Sequence, residues 1–548
     1  MAAYLIITES SGLKRTVLID QVDAISIGRD SGCNIAVSDI KASRKHCTIV
    51  ADESGYRVID HGSRNGTYVN DAKVAESCAL NAGDLIRLGD CVIQLVKELP
   101  QEGDAQPPKP RVGAQRSTWG KSLVYRVMCP NCWQQFFPEE MRFVAKHPEL
   151  LGDPVLGSNE YLRFEPKRFT PRGEALDPKG VPTADLACPR CHLPVVQPML
   201  EMPPLFMSLI GSPASGKSYY LATMTWELRR LLPRAAVSFT DADPAANACV
   251  NDYERTLFLN PETNKPTAIR KTTQFDSLLH RNVTINGVTV RLPIPLQFIL
   301  QPTAEHPKAR LENRPGRMLI MYDNAGEDFR PGIEVAESAA VQHLAASNVL
   351  LMLYDLAQDP RFVAVTRSED PQLHHGLRPE MDQPLVVERQ ETILREASVR
   401  LRRYLGVSQD KRLNRPLIVV IPKFDIWQEM AGIIIETEPY AEANGSPLLV
   451  DTERVEMASN VLRALLARFA PEFVATAENL SSVVRYVPVS SLGCSPSFIR
   501  SRGKKGFYGV LPRDIHPKWV TVPLLYSLCK WSPGIVFGKP KTAEGSAG

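Results

Sequence analysis

The most specific chemical pattern in this 548-residue chain is a glycine-rich loop between an apolar run and a helical pattern. The run Leu205–Ile210 predicts a buried strand, and residues 219 to about 232 have helical spacing. Glycines let the backbone curl so that several N–H groups face one phosphate, and the following helix start adds positive potential. The pattern predicts a nucleotide phosphate site formed by Gly211, Ser212, Pro213, Ala214, Ser215, Gly216, Lys217, Ser218 and Tyr219.

Two residues of this phosphate loop (residues 211–218) carry specific chemistry. Lys217 has the position of the lysine that reaches the β and γ phosphates, so it is also a catalytic candidate. The Ser218 hydroxyl has the position of an Mg²⁺ ligand. The competing interpretation is a glycine- and serine-rich surface turn.

Four cysteines form a second chemical pattern, Cys129-Pro-Asn-Cys132 and Cys188-Pro-Arg-Cys191. Four thiolates at this spacing can close a tetrahedral site, so we predict structural Zn²⁺ in a zinc-ribbon-like segment with a long insertion. Thiol redox chemistry and an iron–sulfur centre are the alternatives. We expect His192 to be outside the ligand set, and a short helix near residues 138–147.

Composition excludes some classes of function. The chain is 44% hydrophobic and 23% charged with a net charge of +3, so it has no overall nucleic-acid footprint. No apolar run approaches the roughly 20 residues of a membrane span. The first residues lack the basic start of a signal peptide, so we expect a cytoplasmic protein without a membrane segment.

Short strand-like runs fill the first 98 residues, and their regular spacing predicts an all-β sandwich. The runs are Tyr4–Thr8, Thr16–Leu18, Ala24–Ile27, His46–Ala51, Tyr56–Asp60, Leu85–Leu88 and Val92–Val96. The loops contain Gly28-Arg29, Ser43-Arg44-Lys45-His46, Asn65-Gly66-Thr67 with Asn70, and Gly83-Asp84. This set, in this order, resembles a forkhead-associated (FHA) domain.

The resemblance implies that loops at one end of the sandwich bind phosphothreonine peptides. Arg29 and Ser43 would hold the phosphate, Arg44 would add positive charge, and Asn65 would hold the peptide backbone. Asn70 would either contact the peptide or support the loop. Three further residues would shape the loops: His46, Gly66 and Thr67. The alternative is a sandwich that keeps this architecture without binding phosphopeptides.

The remaining segments predict a multidomain chain. A Pro-rich flexible linker is expected at residues 99–122, the cysteine segment at 123–200, an α/β domain with a mostly parallel sheet at 201–540, and a disordered tail at 541–548. Within 201–540, strand patterns occur at Val288–Leu300, Arg317–Tyr322, Val349–Asp355, 415–422 and 485–489, and helical patterns at 332–347 and 518–531. An irregular charged insertion, which is either a loop or a partner surface, is expected at 361–384.

Three strand ends in this region carry polar motifs. They are Asp323-Asn-Ala-Gly326-Glu327, Lys423-Phe-Asp425 and Ser490-Ser491-Leu492. A carboxylate at Asp425 could accept from the N1–H and amino group of guanine. In this order the motifs resemble a P-loop GTPase of the translation-factor-like division. With two cysteine pairs upstream, the chain resembles the bacterial double-GTPase family.

This second resemblance implies roles around a Mg²⁺·GTP complex. Asp323 would act on Mg²⁺ through water, and the Gly326 N–H would contact the γ-phosphate. Thr267, with Thr263 as second choice, would be the switch threonine that closes on Mg²⁺. Glu327 stands in the water-orienting position, where a Gln is usual, so we expect slow hydrolysis.

The remaining residues would read the base. Lys423 would pack over it and bridge two loops, while Ser491 and Leu492 would support it through the backbone. Pro422 replaces the usual Asn or Thr before the lysine, which weakens the guanine assignment. Ala214 replaces the Asn of potassium-activated GTPases, so potassium activation is not expected.

The sequence therefore predicts a bacterial regulatory GTPase that binds GTP and Mg²⁺. Its FHA domain would direct it to a phosphothreonine-bearing protein, a substrate of a Ser/Thr kinase, and a GTPase-activating partner or a second GTPase could assist it. Two alternatives remain: an ATPase or general P-loop NTPase, and a phosphopeptide-binding adaptor that does not hydrolyse nucleotide.

Overall fold

The computed structural model describes most of the chain. The described residues are 4–8, 14–19, 24–30, 33–37, 41–52, 55–70, 72–89, 91–96, 123–269, 279–309, 316–323, 329, 339–366, 370, 372–373, 389–441, 447–501 and 504–539. The chain divides into two compact units, an N-terminal unit (Met1–Gly120) and a C-terminal unit (Lys121–Gly548). Among the described residues, no helix has the length and apolar content needed to cross a membrane.

The N-terminal unit is built from two β-sheets. One has the strand order Lys14–Leu18, Tyr4–Thr8, Cys91–Val96, Leu85–Leu88, Thr67–Val69 and Ala72–Lys73. The other has the order Ile35–Ala36, Ala24–Gly28, Cys47–Asp52, Gly55–Asp60 and Ser77–Leu80. Strand Cys91–Val96 alternates buried and half-buried residues, so one of its faces lies in the core. The predicted β-sandwich is confirmed, and four short strands were not predicted.

The cysteine segment at the start of the C-terminal unit consists of very short strands. They are Val127–Met128, Gln135–Phe136, Arg142–Val144, Leu151–Asp153, Gly157–Tyr161, Arg163–Phe164, Ala175–Leu176, Pro182–Thr183, Leu186–Ala187 and Pro194–Val195. The helix predicted near residues 138–147 is wrong. A 3-10 turn covers only Pro138–Glu140, because residues 142–144 pair with strands on both sides. A second 3-10 turn spans Pro148–Leu150, and one helical turn, Pro198–Glu201, leads into the main sheet.

The C-terminal unit is organised around a seven-stranded sheet. Its strand order is Val237–Asp241, Leu296–Pro302, Arg317–Asp323, Pro204–Gly211, Val349–Leu353, Leu417–Ile421 and Val484–Pro488. The last five strands are parallel to one another, and Leu296–Pro302 is antiparallel to both of its neighbours. Strands Val349–Leu353 and Leu417–Ile421 are buried throughout, as expected for parallel strands covered on both faces.

Helices and small hairpins complete this unit. The helices are Lys217–Leu231, Ala248–Phe258, Ala339–Ala346, Pro360–Val365, Gln390–Leu405, Gln428–Ala431, Thr452–Phe469, Pro471–Leu480 and Val522–Trp531. The 3-10 turns are Leu232–Ala235, Leu356–Gln358, Phe424–Ile426 and Pro512–Asp514. Two hairpins pair His280–Ile285 with Val288–Pro293 and Ser497–Ser501 with Lys504–Gly509. A small sheet joins Tyr440–Ala441, Leu449–Val450 and Phe537–Gly538.

Several predicted boundaries in this unit are wrong. The single strand expected at Val288–Leu300 is two strands, which separate at Ile294-Pro295 because a proline has no N–H for a ladder. The helix expected from Lys518 begins at Val522, since Lys518 pairs through its backbone with Ser490. Part of the predicted irregular insertion is helical, because Asp359 caps the helix Pro360–Val365. Residues 374–384 of that insertion and 332–338 of the helical pattern lie outside the described residues.

Candidate functional sites

Three loops of the N-terminal unit meet at the residues predicted to bind phosphate. The Arg29 N–H donates to the Ser43 carbonyl (2.9 Å), and the Arg64 N–H donates to the Ser43 hydroxyl (3.1 Å). The Asn65 amide donates to the Lys41 carbonyl (2.7 Å). These bonds bring Arg29, Ser43 and Asn65 together from three separate loops.

The close approach of two of these loops requires a glycine. A Cβ atom on Gly28 would lie 2.2 Å from the Arg44 carbonyl oxygen, so no side chain fits there. The side chains of Arg29 and Arg44 are exposed beside this contact, and Arg64 is exposed on the third loop. Arginine guanidinium groups bind phosphate oxygens through paired hydrogen bonds.

The buried His46 and the half-buried Asp60 hold the loops in place through hydrogen bonds. His46 is fully buried and accepts from the Ser43 N–H through Nδ1 (2.9 Å), while its Nε2 lies 3.3 Å from the Gly66 carbonyl. Asp60 accepts from the hydroxyls of Ser63 and Thr67, both at 2.6 Å. Burial raises the pKa of Asp60, but these hydrogen bonds outweigh that effect and the net pKa is lowered.

Asn70 supports the sandwich rather than the loop end. Its side chain donates to the Asp84 carboxylate (2.8 Å) and accepts from the Leu85 N–H (3.0 Å). Its φ of 48° is in the left-handed region, which asparagine tolerates. Between the two roles left open by the sequence, the geometry favours support.

Comparison with known proteins identifies this unit. A family model described as "FHA domain" matches residues 25–89. The N-terminal unit contains an FHA domain. The FHA domain-containing protein FhaB of Mycobacterium tuberculosis is 31% identical over 94 residues, which are 17% of this chain and 60% of FhaB. The glycogen accumulation regulator GarA of Mycolicibacterium smegmatis is 33% identical over 88 residues, 16% of this chain and 54% of GarA.

A solved structure of an FHA domain is also similar to part of the chain. It is a crystal structure of the FhaA FHA domain complexed with the intracellular domain of Rv3910. It has 31% identity and a TM-score of 0.15, and the match covers 17% of this chain and 98% of that chain. The chain spans less than two thirds of the length of the curated relatives FhaB and GarA.

Outside the FHA domain, the phosphate loop closes tightly between strand Pro204–Gly211 and helix Lys217–Leu231. Ala214 and Gly216 have φ values of 60° and 92°, which curl the loop back before the helix begins. The Lys217 ammonium donates to the carbonyls of Gly211 (2.8 Å) and Ser212 (2.9 Å). The Ser215 hydroxyl also donates to the Ser212 carbonyl (2.8 Å).

Two glutamines outside the loop hold it in place, and sequence reasoning missed both. The Ser212 hydroxyl lies 2.8 Å from Oε1 of Gln358 and 3.3 Å from Oε1 of Gln390. The Gln358 amide donates to the Pro213 carbonyl (3.1 Å). Gln390 also accepts from the Asp355 N–H and donates to the Asp355 carbonyl, both at 2.8 Å. No local motif marks these glutamines.

Asp323 ends the strand beside the phosphate-loop strand, in register with Leu209. Burial is the main cause that raises the pKa of Tyr253, the nearby Asp323 charge adds to that rise, and a hydrogen bond with Ser218 opposes it. Asp323 and the phosphate loop lie at the carboxyl ends of two adjacent parallel strands. Gly326 and Glu327 lie outside the described residues.

The predicted base-reading residues form two contacts. The Ser490 hydroxyl donates to the Asp425 carboxylate (2.5 Å), which joins the second and third polar motifs. Burial raises the pKa of Asp425, and the Ser490 bond opposes that rise. The Lys423 ammonium lies 2.6 Å from a carboxylate oxygen of Asp355, a residue that sequence reasoning missed. Ser491 and Leu492 follow on the same loop, half-buried.

Thr267 lies close to the start of the phosphate-loop helix. Its backbone N–H and carbonyl both pair with Val510 at 2.8 Å, and the Ile269 N–H donates to the Tyr219 hydroxyl (3.2 Å). The second choice, Thr263, is exposed. The Mg²⁺ role of Thr267 stays a prediction.

The four predicted metal ligands converge on one point. The Sγ atoms of Cys129, Cys132, Cys188 and Cys191 all lie within 4.8 Å of one another, and we name this group the cysteine cluster. Cys129 and Cys191 are 3.8 Å apart, as are Cys132 and Cys188, and all four are free thiols. His192 lies outside the cluster and binds the Asp153 carboxylate through Nδ1 (2.8 Å).

Proposed function

We propose that the FHA domain binds phosphothreonine peptides. The observation that carries this proposal is the set of bonds that ties Arg29, Ser43 and Asn65 into one surface beneath exposed guanidinium groups. A phosphothreonine carries nearly two negative charges and three acceptor oxygens, which this surface can neutralise and bind. Arg44 and Arg64 add positive charge at its edge.

Fluorescence polarisation with a degenerate phosphothreonine peptide library tests this proposal. The matched phosphoserine and unphosphorylated libraries measure selectivity, and we expect the phosphothreonine library to bind most tightly. Arg29→Ala and Ser43→Ala should each weaken binding at least about tenfold, or about 1.4 kcal/mol. Arg57→Ala is the control, because Arg57 is exposed in the middle of strand Gly55–Asp60. Equal binding of the three libraries would leave the sandwich as a scaffold without phosphopeptide recognition.

We propose further that the C-terminal unit binds a nucleoside triphosphate, GTP in preference to ATP, with Mg²⁺. The curled phosphate loop with Lys217 supports this second function, as does the position of Asp323 at the end of the strand parallel to the phosphate-loop strand. Asp425, oriented by Ser490, presents a carboxylate that suits the two donors of guanine. Together with the FHA domain, the chain would be an adaptor whose second unit responds to nucleotide.

The proposal extends to hydrolysis of the bound nucleotide. Lys217 would neutralise the β and γ phosphates, and Ser218 and Asp323 would hold Mg²⁺, which supplies charge compensation when bound. Water would attack the γ-phosphate in line, with Thr267 and Glu327 as the remaining catalytic candidates. An adaptor that binds nucleotide without hydrolysis remains the main alternative, and an ATPase the other.

Titration with non-hydrolysable GTP and ATP analogues in Mg²⁺ separates these possibilities. Tenfold or greater preference for the GTP analogue, lost in Asp425→Ala, would support guanine recognition; Asp410→Ala is an exposed-carboxylate control. Lys217→Ala should abolish binding of both analogues. Binding without phosphate release in a single-turnover assay would support the adaptor, and equal affinity for both analogues would support a general NTPase.

We also propose that the cysteine cluster binds structural Zn²⁺. With Zn–S bonds of about 2.3 Å, tetrahedral sulfurs lie about 3.8 Å apart, which fits the Sγ–Sγ distances of the Cys129–Cys191 and Cys132–Cys188 pairs. Four thiolates fill the site, so the ion would cross-link the segment rather than catalyse. Metal analysis should give one zinc per chain, and Cys188→Ser should lose it. Iron and sulfide in the purified protein would instead indicate an iron–sulfur centre.

A further inference from the structure

A single tyrosine connects the cysteine cluster to the central sheet. Tyr322 is fully buried in strand Arg317–Asp323, one residue before Asp323. Its hydroxyl donates to the Pro130 carbonyl (2.6 Å) and accepts from the Trp133 indole N–H (3.0 Å). Pro130 lies between Cys129 and Cys132, and Trp133 directly follows Cys132. Both partners therefore belong to the turn of residues 129–133, which we name the cysteine turn.

The contact continues into the phosphate-loop strand. The His343 ring stacks on Tyr322 with centroids 4.7 Å apart, and the Ser208 hydroxyl lies 2.8 Å from His343 Nδ1. Ser208 belongs to strand Pro204–Gly211, which leads into the phosphate loop. Burial lowers the pKa of His343 to about 3, so this ring is neutral at ordinary pH.

Buried polar groups are costly unless they are hydrogen-bonded, so this arrangement depends on the cysteine turn. If the turn moved, the Tyr322 hydroxyl would lose both of its described partners inside the core. The end of strand Arg317–Asp323 would then be held less firmly in place. The next residue along that strand is Asp323, which is in register with Leu209 of the strand that leads into the phosphate loop.

The position of this turn depends on the cysteine cluster. Pro130 and Trp133 are next to the cluster residues Cys129 and Cys132 in the chain. Trp133 has a φ of 56°, a left-handed conformation that a non-glycine residue rarely adopts. An ion bound by four thiolates would fix both ends of the turn. Without the ion, three buried thiols and the half-buried Cys132 thiol would be held by weak sulfur contacts.

We propose that Tyr322 is a positioning residue that couples metal binding at the cysteine cluster to nucleotide binding at the phosphate loop. This inference rests on the proposed nucleotide and metal sites. Metal would fix the turn, the turn would fix Tyr322, and Tyr322 would hold Asp323 in place for Mg²⁺. Because coupling between two binding sites is reciprocal, nucleotide must raise the affinity for metal by the same factor.

The test uses the full chain loaded with Co²⁺, whose absorption bands report the geometry of thiolate ligands. We expect the Co²⁺-loaded protein to bind a non-hydrolysable GTP analogue at least about fivefold more tightly than the metal-stripped protein. The analogue should also shift the Co²⁺ spectrum. Tyr322→Phe, which removes one hydroxyl, should keep one Co²⁺ per chain and lose both effects.

A buried tyrosine elsewhere in the unit provides the matched control. Tyr526 is buried, and its hydroxyl bonds Arg485 (3.1 Å) and Glu456 (2.9 Å) beside the far edge strand of the sheet. Tyr526→Phe should retain the coupling and the spectral shift. A general loss of stability would affect both variants, whereas loss of coupling should affect Tyr322→Phe alone.

Each other outcome overturns a separate statement. An unshifted spectrum with equal affinities in the wild-type protein would overturn the coupling and leave the nucleotide site intact. Coupling that survives in Tyr322→Phe would remove Tyr322 from the connection. Wild-type protein that binds no analogue would overturn the proposed nucleotide function, and this inference with it. If metal removal unfolds the unit, the affinity comparison cannot be made. The shift of the Co²⁺ spectrum on addition of the analogue, compared between the wild-type protein and Tyr322→Phe, then tests the coupling by itself.

Discussion

The Lys423 ammonium and the Asp355 carboxylate form an ion pair of 2.6 Å in which Asp355 is completely buried. Each residue follows the end of a parallel strand, Leu417–Ile421 for Lys423 and Val349–Leu353 for Asp355. The pair therefore lies at the carboxyl ends of the parallel strands, where the phosphate loop also lies. Burial raises the pKa of Asp355, and Lys423 acts against that rise.

Breaking this pair should destabilise the C-terminal unit. Asp355→Asn leaves the Lys423 charge, whose side chain is 12% exposed, without its partner, so we expect a loss of about 3–5 kcal/mol in the free energy of unfolding. The double variant Asp355→Leu with Lys423→Met should recover much of that loss, because it buries no charge. Urea unfolding measures both. Equal stability of Asp355→Asn and the wild-type protein would show that the pair is solvated.

Gln390 should prove important for both stability and nucleotide binding. Gln390→Leu removes the partners of the Asp355 N–H and carbonyl, which should cost about 1–3 kcal/mol. It also removes a contact to Ser212, so affinity for nucleotide should fall. Gln409→Leu is the control, since Gln409 is exposed in a loop. An unchanged unfolding midpoint in Gln390→Leu would contradict this prediction.

Glu438 should make stability depend on pH. Burial raises its pKa to about 7 from 4.5, although it accepts from the Trp519 N–H (2.9 Å). Between these values the folded state holds a proton that the unfolded state releases, so the contribution of Glu438 to stability is full below pH 4.5 and is lost as the pH rises through about 7. Compared with Glu438→Gln, the wild-type protein should lose about 3 kcal/mol over this range. Parallel pH profiles of the two proteins would contradict the assignment.

Asp60 should stabilise the FHA loops through its charge. Asp60→Asn weakens three bonds from Ser63 and Thr67 and should cost about 1–3 kcal/mol, with weaker phosphopeptide binding. Because the pKa of Asp60 is lowered, its contribution is present above pH 3.8 and is lost as pH falls through the folded value. Glu76→Gln, which changes an exposed carboxylate nearby, should leave stability and binding unchanged.

Sequence patterns predicted the elements that bury an apolar face. Strands such as Leu85–Leu88 and Leu417–Ile421 are visible because hydrophobic residues repeat or run together there. Ile35–Ala36 and Ala72–Lys73 have only two residues, which is too short for any period. Arg142–Val144 was mistaken for helix because its partners lie about twenty and forty residues further along the chain.

The same limit applies to the candidate sites. Arg29 and Ser43 belong to loop motifs that resemble those of FHA domains, and the four cysteines form two local pairs, so all six could be predicted as site residues before the fold was known. The contact between Trp133 and Tyr322 spans 189 positions, and that between Ser212 and Gln390 spans 178. Such long-range contacts depend on how strands and helices pack, so no local sequence pattern predicts them.

The separation of the two cysteine pairs has a consequence for the order of folding. Cys132 and Cys188 meet across 56 positions, and closing a flexible loop of that length costs about 3.6 kcal/mol in chain entropy. The short hairpins between them, such as Ala175–Leu176 with Pro182–Thr183, shorten the effective loop once they form. We therefore expect the intervening strands to form before the fourth thiolate arrives, so that metal capture is a late step that locks an existing structure.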